Sequence, residues 1–254
     1  MRHAASAWRG ARDMCWGIEV TAGMAAVGVV AAAYTWRRGD PGVVPLTLAY
    51  FAAMEGLQFG GYLVVDECSS PANQTYAFLS ILHIIFQPFI INAFALQLVP
   101  ERVRARARVP VFALCFASAV VMLMQLIPFD WAGACTEGSI LCGKAWCTVS
   151  GAWHIAWNVP YNALLAPVDA ALGMRWGFPT YLAVVFVVPL FYGAWRFVVF
   201  HALIGPLLAA QLTPNPNEIP AIWCLFSIGI AMIAVFPPVR RLFEFRGWAA
   251  QPSA

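Results

Sequence analysis

Glu55, His83, His154 and His201 are acid and imidazole groups set in stretches that are otherwise almost wholly apolar. Carrying such a group into hydrocarbon is costly, so each is a candidate for function until a partner explains it. Neutral imidazole and carboxylate are common zinc donors, and three protein ligands plus a water make a catalytic centre. The four residues are therefore candidate metal ligands, with one of them able to act as general base through bound water. No H-E-x-x-H or H-x-x-x-H spacing occurs, so the site has to be assembled from single ligands on separate helices.

The elements that must position these groups are membrane spans. Of 254 residues, 61% are hydrophobic and 11% charged, with a mean hydropathy of +0.72; that leaves too little charge for the shell of a soluble domain. Apolar runs over 15–36, 43–65, 74–99, 109–129, 152–173, 178–200 and 219–239 predict seven helices. The expected fold is all-α, a single transmembrane domain over 1–254. The fifth run holds His154, Asn158, Pro160, Asn162, Pro167 and Asp169, so it is the one expected to be broken or re-entrant. Pro88 and Pro189 are expected to kink the third and sixth. Ala31, Ala32 and Ala33 resemble a signal-cleavage site, but the run is long for a signal core and reads as a retained span.

Basic loops resist translocation, and the distribution of arginine sets the orientation. With the first connection inside, Arg37, Arg38, Arg102, Arg104, Arg106, Arg108, Arg175, Arg240, Arg241 and Arg246 lie inside; Arg2, Arg9, Arg12 and Lys144 lie outside. The amino terminus is then outside and the carboxyl terminus inside, although the basic start argues the other way. The run from Arg102 to Arg108 reads as an anchor on anionic lipid headgroups. A net charge of +3, with the basic residues dispersed, excludes a nucleic-acid surface. Membrane lipids are the expected partners, with a homo-oligomer or a larger membrane complex left open.

Cys68, Cys135, Cys142 and Cys147 all fall in connections assigned outside, an oxidising compartment. They are disulfide candidates, and the spacing leaves all three pairings open. Cys15 is an odd fifth at the outer edge, and Cys115 and Cys224 sit within helices as small apolar residues. No C-x-x-C pair supports a thiol redox or metal centre. Asn73-Gln74-Thr75 matches a glycosylation sequon, but the arginine-rich, alanine-rich composition reads as bacterial, which makes the match incidental and the location an inner membrane. The tryptophans near span boundaries, Trp16, Trp131, Trp146, Trp153 and Trp176 among them, read as an interfacial belt.

At 1.5 Å per residue, Glu55 and His83 lie about 15 Å and about 14 Å below the outer ends of spans two and three. They arrive at one level, where they can pair or share a metal. Gln58 is one turn outward from Glu55 and Gln87 one turn inward from His83. With Asn158, Arg196 and Glu218 these are candidate substrate-binding groups, Arg196 and Glu218 being expected to pair across the outer connection between spans six and seven. All three span histidines are expected in the outer half, above an inner half poor in ionisable groups, which implies an outward-opening polar cavity rather than a transport path. Haem ligation is less favoured, since the depths of His83 and His154 differ by roughly 10 Å. Retinal is excluded because the single lysine, Lys144, lies in an outer loop.

Glu55-Gly-Leu-Gln58, Cys68-Ser-Ser-Pro-Ala-Asn73, His83-Ile-Ile-Phe-Gln87-Pro88, Trp153-His154 and Ile219-Pro-Ala-Ile-Trp223-Cys224 resemble an uncharacterised family of bacterial seven-pass membrane proteins. The resemblance covers nearly the whole chain; it implies a fold and supplies no mechanism. The leading expectation is a metal-dependent enzyme, zinc being the natural ion, acting on a lipid or other amphipathic molecule from the outer leaflet. The alternative is a non-enzymatic receptor, carrier or accessory subunit of a membrane complex.

Overall fold

The computed structural model describes Met14 and residues 16–245. Expectations for Arg2, Arg9, Arg12, Cys15 and Arg246 lie outside the described residues. Helix α1 (Ile18–Arg37) carries no charge between Glu19 and Arg37, and α2 (Val43–Tyr62) runs back beside it. Helix α3 (Pro71–Ala95) starts on a proline, which has no amide to leave unsatisfied in a first turn. Helix α4 (Glu101–Gln125) begins in the arginine-rich segment and turns apolar after Pro110.

Between α4 and the next long helix lies a cap, not a span. Strands β1 (Cys147–Ser150) and β2 (Ile155–Asn158) form an antiparallel hairpin, with Cys147 opposite Asn158 and Ser150 opposite Ile155. A short helix α5 (Ala166–Ala171) follows. This corrects the expected span over 152–173. Pro160 and Pro167 remove two amides from any helix there, and the Asn158 and Asn162 side chains are taken up by loop and cap contacts.

The expected sixth span, 178–200, is also corrected. Helix α6 (Pro179–Phe191) stops at Gly193, whose φ of +94° favours glycine. Helix α7 (Trp195–Leu212) then returns toward the cap. The reversal is fixed at both ends: the Gln125 side chain donates to the Gly177 carbonyl beside the start of α6, and Arg196 donates to the Leu242 carbonyl beyond the turn. π-Helical turns at Ala183–Val187 and Leu203–Leu207 lie beside Pro189 and around Pro206. Helices α8 (Ile219–Phe226) and α9 (Ile228–Val235) descend from the cap, and α10 (Pro237–Phe243) leaves at 103°.

Among the described residues, four helices are long and apolar enough to cross a membrane, or five if the bent pair is counted as one span. Seven of that length are not present there. Val30, Phe116 and Phe191 stand 68%, 64% and 86% exposed on the circumference. A rim this apolar suits hydrocarbon contact rather than water.

The two ends differ in chemistry. At the arginine end, Arg38 grips Asp40 at 2.5 Å and donates to the Val235 and Ala234 carbonyls at the end of α9, while Arg240 reaches Asp40 at 3.5 Å. At the cap end, two disulfides, Cys68–Cys147 and Cys135–Cys142, resolve the open pairing. Asn73 is fully buried, and its carboxamide clamps Thr148 and Val64 through three hydrogen bonds. The sequon is thus a structural clasp in the folded chain.

Mass mapping under non-reducing conditions should return those two linkages, with Cys115 and Cys224 as thiols. Joint replacement Cys68→Ser and Cys147→Ser should cost about 2–4 kcal/mol in chemical unfolding, because the bridge closes a long loop. Any other pairing would contradict the cap's register.

Candidate functional site

Thr213-Pro-Asn-Pro-Asn-Glu218 joins α7 to α8 and supplies the carboxylate that docks the cap. Glu218 is fully buried. One of its oxygens accepts the backbone N–H of Trp153 and of His154, both at 2.5 Å, and the other accepts the Thr213 hydroxyl at 2.5 Å. The cap approaches this closely because residue 151 is glycine: a Cβ there would sit 2.4 Å from the His154 carbonyl oxygen and 2.5 Å from the Glu218 carboxyl carbon.

Below the carboxylate runs a polar seam. The His154 ring nitrogen Nδ1 bonds the Tyr62 hydroxyl, which donates to the Trp16 carbonyl at 2.6 Å. Tyr62, Gln58 and Glu55 lie on one face of α2 by their spacing of four and three residues. Gln58 and Glu55 are buried, and their polar side-chain atoms find no hydrogen-bond partner among the described residues; the same holds for Thr21 Oγ1 and His154 Nε2. Buried polar atoms left in this way call for water, an ion or a ligand. Glu55 lines a cavity of about 30 Å³ between α1, α2 and α8–α9, a volume that takes about one water.

The histidines do not converge. The His83 ring stacks on Tyr50 at 3.7 Å, and the Tyr50 hydroxyl donates to the His83 carbonyl. Tyr50 and Glu55 are five residues apart on α2, about 140° round the helix, so His83 and Glu55 occupy different faces. His201 accepts the Trp223 indole N–H at 3.1 Å among the rings of Phe186 and Phe197. It lies six residues into α7 from the arginine end, not in the half of the bundle nearer the cap. Among the described residues, no three His, Cys, Asp or Glu side chains stand close enough to hold a metal ion. The donor set Glu55, His83, His154 and His201 therefore does not fit a shared ion.

The second set also divides. Gln87 accepts the Tyr181 hydroxyl at 2.8 Å, and Asn158 accepts the Asn217 amide at 2.8 Å, which ties the hairpin to the α7–α8 connection. Arg196 is exposed at the arginine end on the Leu242 carbonyl, so its expected pair with Glu218 is not formed; the two are at opposite ends. Tyr62, Thr213 and Asn217 are contributors that sequence reasoning missed. The only signal for Tyr62 is its continuation of the Glu55–Gln58 face.

A further feature is in the cap itself. A cleft of about 370 Å³ opens beside the Cys135–Cys142 bridge, lined by Gln125, Ser139, Tyr161, Asp169 and Arg175 among others. This moves Arg175 from the arginine end, where the sequence reading puts it, to the cap beside Asp169. Burial raises the Asp169 carboxyl above its ordinary range, and the Gly177 and Trp176 amides oppose that shift.

A helical bundle with spans of membrane length, closed at one end by a disulfide-stapled cap over a buried polar seam, is the class of protein that this fold and site define. The chain belongs to a family of unknown function (DUF5765), whose model matches residues 19–244. No curated protein and no solved structure matches the chain.

Burial pushes the His154 imidazole down from 6.5 to about 3, so the folded chain holds it neutral while the unfolded chain protonates it near its ordinary value. Its contribution to stability is complete above pH 6.5 and is lost as pH falls toward 3. Chemical denaturation at pH 7 and pH 5 should differ by about 2 kcal/mol from this residue, and His154→Gln should remove that part; an equal acid loss in both proteins would refute the assignment. Gly151→Ala should cost about 1–3 kcal/mol by displacing Glu218, read in the same denaturation at pH 7.

Proposed function

We propose that the protein is a seven-pass bacterial inner-membrane protein with its cap on the outer face, serving as a ligand-binding receptor or accessory subunit rather than as a metal-dependent enzyme. The seven passes are α1, α2, α3, α4, α6, α7 and α8–α9, which end alternately at the cap and at the arginine end. Arg37, Arg102, Arg106, Arg196 and Arg241 gather opposite the cap, and the disulfides suit an oxidising exterior. The apolar circumference would face lipid.

The observation that carries the functional reading is the destination of the polar groups. Glu218, His154, Asn158 and Asn73 spend their hydrogen bonds on holding the cap, and the cap keeps an open polar cleft. Polar anchoring beneath a stapled, cleft-bearing cap is the build of a binding surface. The seam ends at Glu55, and the buried polar groups beyond it, Asn92 and His201, are held by separate contacts to the Val184 carbonyl and the Trp223 indole, which argues against a continuous path across the membrane.

Two measurements on purified, oxidised protein test this. Elemental analysis should find no stoichiometric divalent metal. A thermal-shift screen of small polar solutes should give at least one stabilising compound whose effect disappears when both disulfides are reduced. A metal bound one to one and lost in His154→Ala would restore the enzyme reading.

A further inference from the structure

Gly177 holds two side chains in the cap cleft. Its N–H donates to Asp169 Oδ2 at 2.6 Å, and its carbonyl accepts from Gln125 Nε2 at 2.7 Å. Bound to opposite ends of this one residue, the two side chains both line the same cleft, with Asp169 Oδ1 and Gln125 Oε1 as their remaining oxygens. Both residues are more than nine-tenths buried, at 6% and 1% exposure, and neither remaining oxygen finds a donor among the described residues. A buried acceptor without a donor costs about 1–3 kcal/mol, more when it is charged.

Two nearby donors are already committed elsewhere. The Tyr161 hydroxyl donates to the Ile140 carbonyl at 3.0 Å, and the Asn162 amide donates to the Met124 and Ile127 carbonyls. The cleft wall thus holds a carboxylate oxygen and an amide oxygen that lack N–H donors. Arg175 also lines it, is exposed, and has no carboxylate within ion-pair distance among the described residues. The volume of about 370 Å³ is at the small end of ligand pockets.

We infer that the cap cleft binds a small zwitterion, its primary ammonium on Asp169 and Gln125 and its acid group on Arg175. An ammonium supplies three N–H donors to a carboxylate and an amide oxygen, and a guanidinium matches a carboxylate or phosphate. This chemistry belongs to free amino acids and to the phosphoethanolamine headgroup of an outer-leaflet lipid. The inference rests on the cap being the binding surface of a receptor or accessory subunit.

The full chain, oxidised and held in phosphatidylcholine nanodiscs, is titrated calorimetrically with glycine, L-alanine, O-phosphoethanolamine, ethanolamine and betaine. The choline headgroup of the disc and betaine lack N–H donors and serve as controls. Saturable binding is expected for the zwitterions that carry an N–H ammonium, weaker by about tenfold or more for betaine. Asp169→Asn, which keeps an oxygen for the Gly177 amide, should weaken the ammonium probes by about tenfold or more. Arg175→Gln, at an exposed position, should weaken the acid-bearing probes and leave ethanolamine unchanged.

Tighter binding of the amino acids identifies a free ligand. Tighter binding of O-phosphoethanolamine, with retention of phosphatidylethanolamine in mixed discs, identifies the headgroup. Absence of saturable binding, equal binding of betaine, or indifference to Asp169→Asn overturns the inference, as does a response to calcium alone. A disulfide-dependent hit from the solute screen that lacks an ammonium would leave the cap reading standing and remove only this one.

Discussion

The carboxylate of Glu218 is where the cap and the bundle become one structure. Taken out of water, a carboxylate persists only if donors replace its hydration, and here two backbone amides from the hairpin turn and one threonine hydroxyl do so. The same contact fixes the turn that carries His154, and through Tyr62 it fixes the chain entering α1. The two disulfides and the Asn73 clasp brace the cap at other points, while Glu218 and its neighbour Asn217 join it to the start of α8. Gly151 is the condition for that approach.

The distribution of polar groups follows from this division of labour. His83 and His201 make separate contacts, one stacked on a tyrosine ring and one accepting a tryptophan N–H, and the other ring nitrogen of His201 and Nε2 of His83 find no partner among the described residues. Among the buried polar atoms left without a partner in the described residues, two groups cluster: Glu55, Gln58 and Thr21 beneath the cap, and the acceptor pair of Asp169 and Gln125 within it. The first is narrow, with room beside Glu55 for about one water; the second opens into a cleft that admits a small molecule. The two groups of unpartnered atoms thus differ in the space beside them, though both lie toward one end of the molecule.

Much of the architecture was legible without coordinates. The first four helices came from length and apolarity, and the disulfide candidacy of four cysteines from their shared placement in connections. The fifth run stood out as the one expected to be broken, from its histidine, asparagines and prolines, but only the pairing of Cys147–Ser150 with Ile155–Asn158 reveals a hairpin in place of a span. The sixth misled for a related reason: hydropathy does not register a chain reversal, and one positive-φ glycine turns an apparent span of 23 residues into two antiparallel helices. Moving Arg196 and His201 to the other end is a consequence of that single turn.

Residue types and spacing by themselves determined that the chain is helical and apolar, that its free polar groups are few, and that Glu55, Gln58, His154 and Glu218 need explaining. Those conclusions rest on transfer free energies and helical periodicity, which are local properties of a sequence. Which groups meet was decided only by the tertiary structure. Side chains on separate helices converge or diverge with a rotation of some tens of degrees, and no one-dimensional pattern records that rotation. For the same reason the Asp169–Gln125 pair was invisible beforehand: two residues 44 apart in the chain meet at one glycine residue only because the cap folds back onto the end of α4.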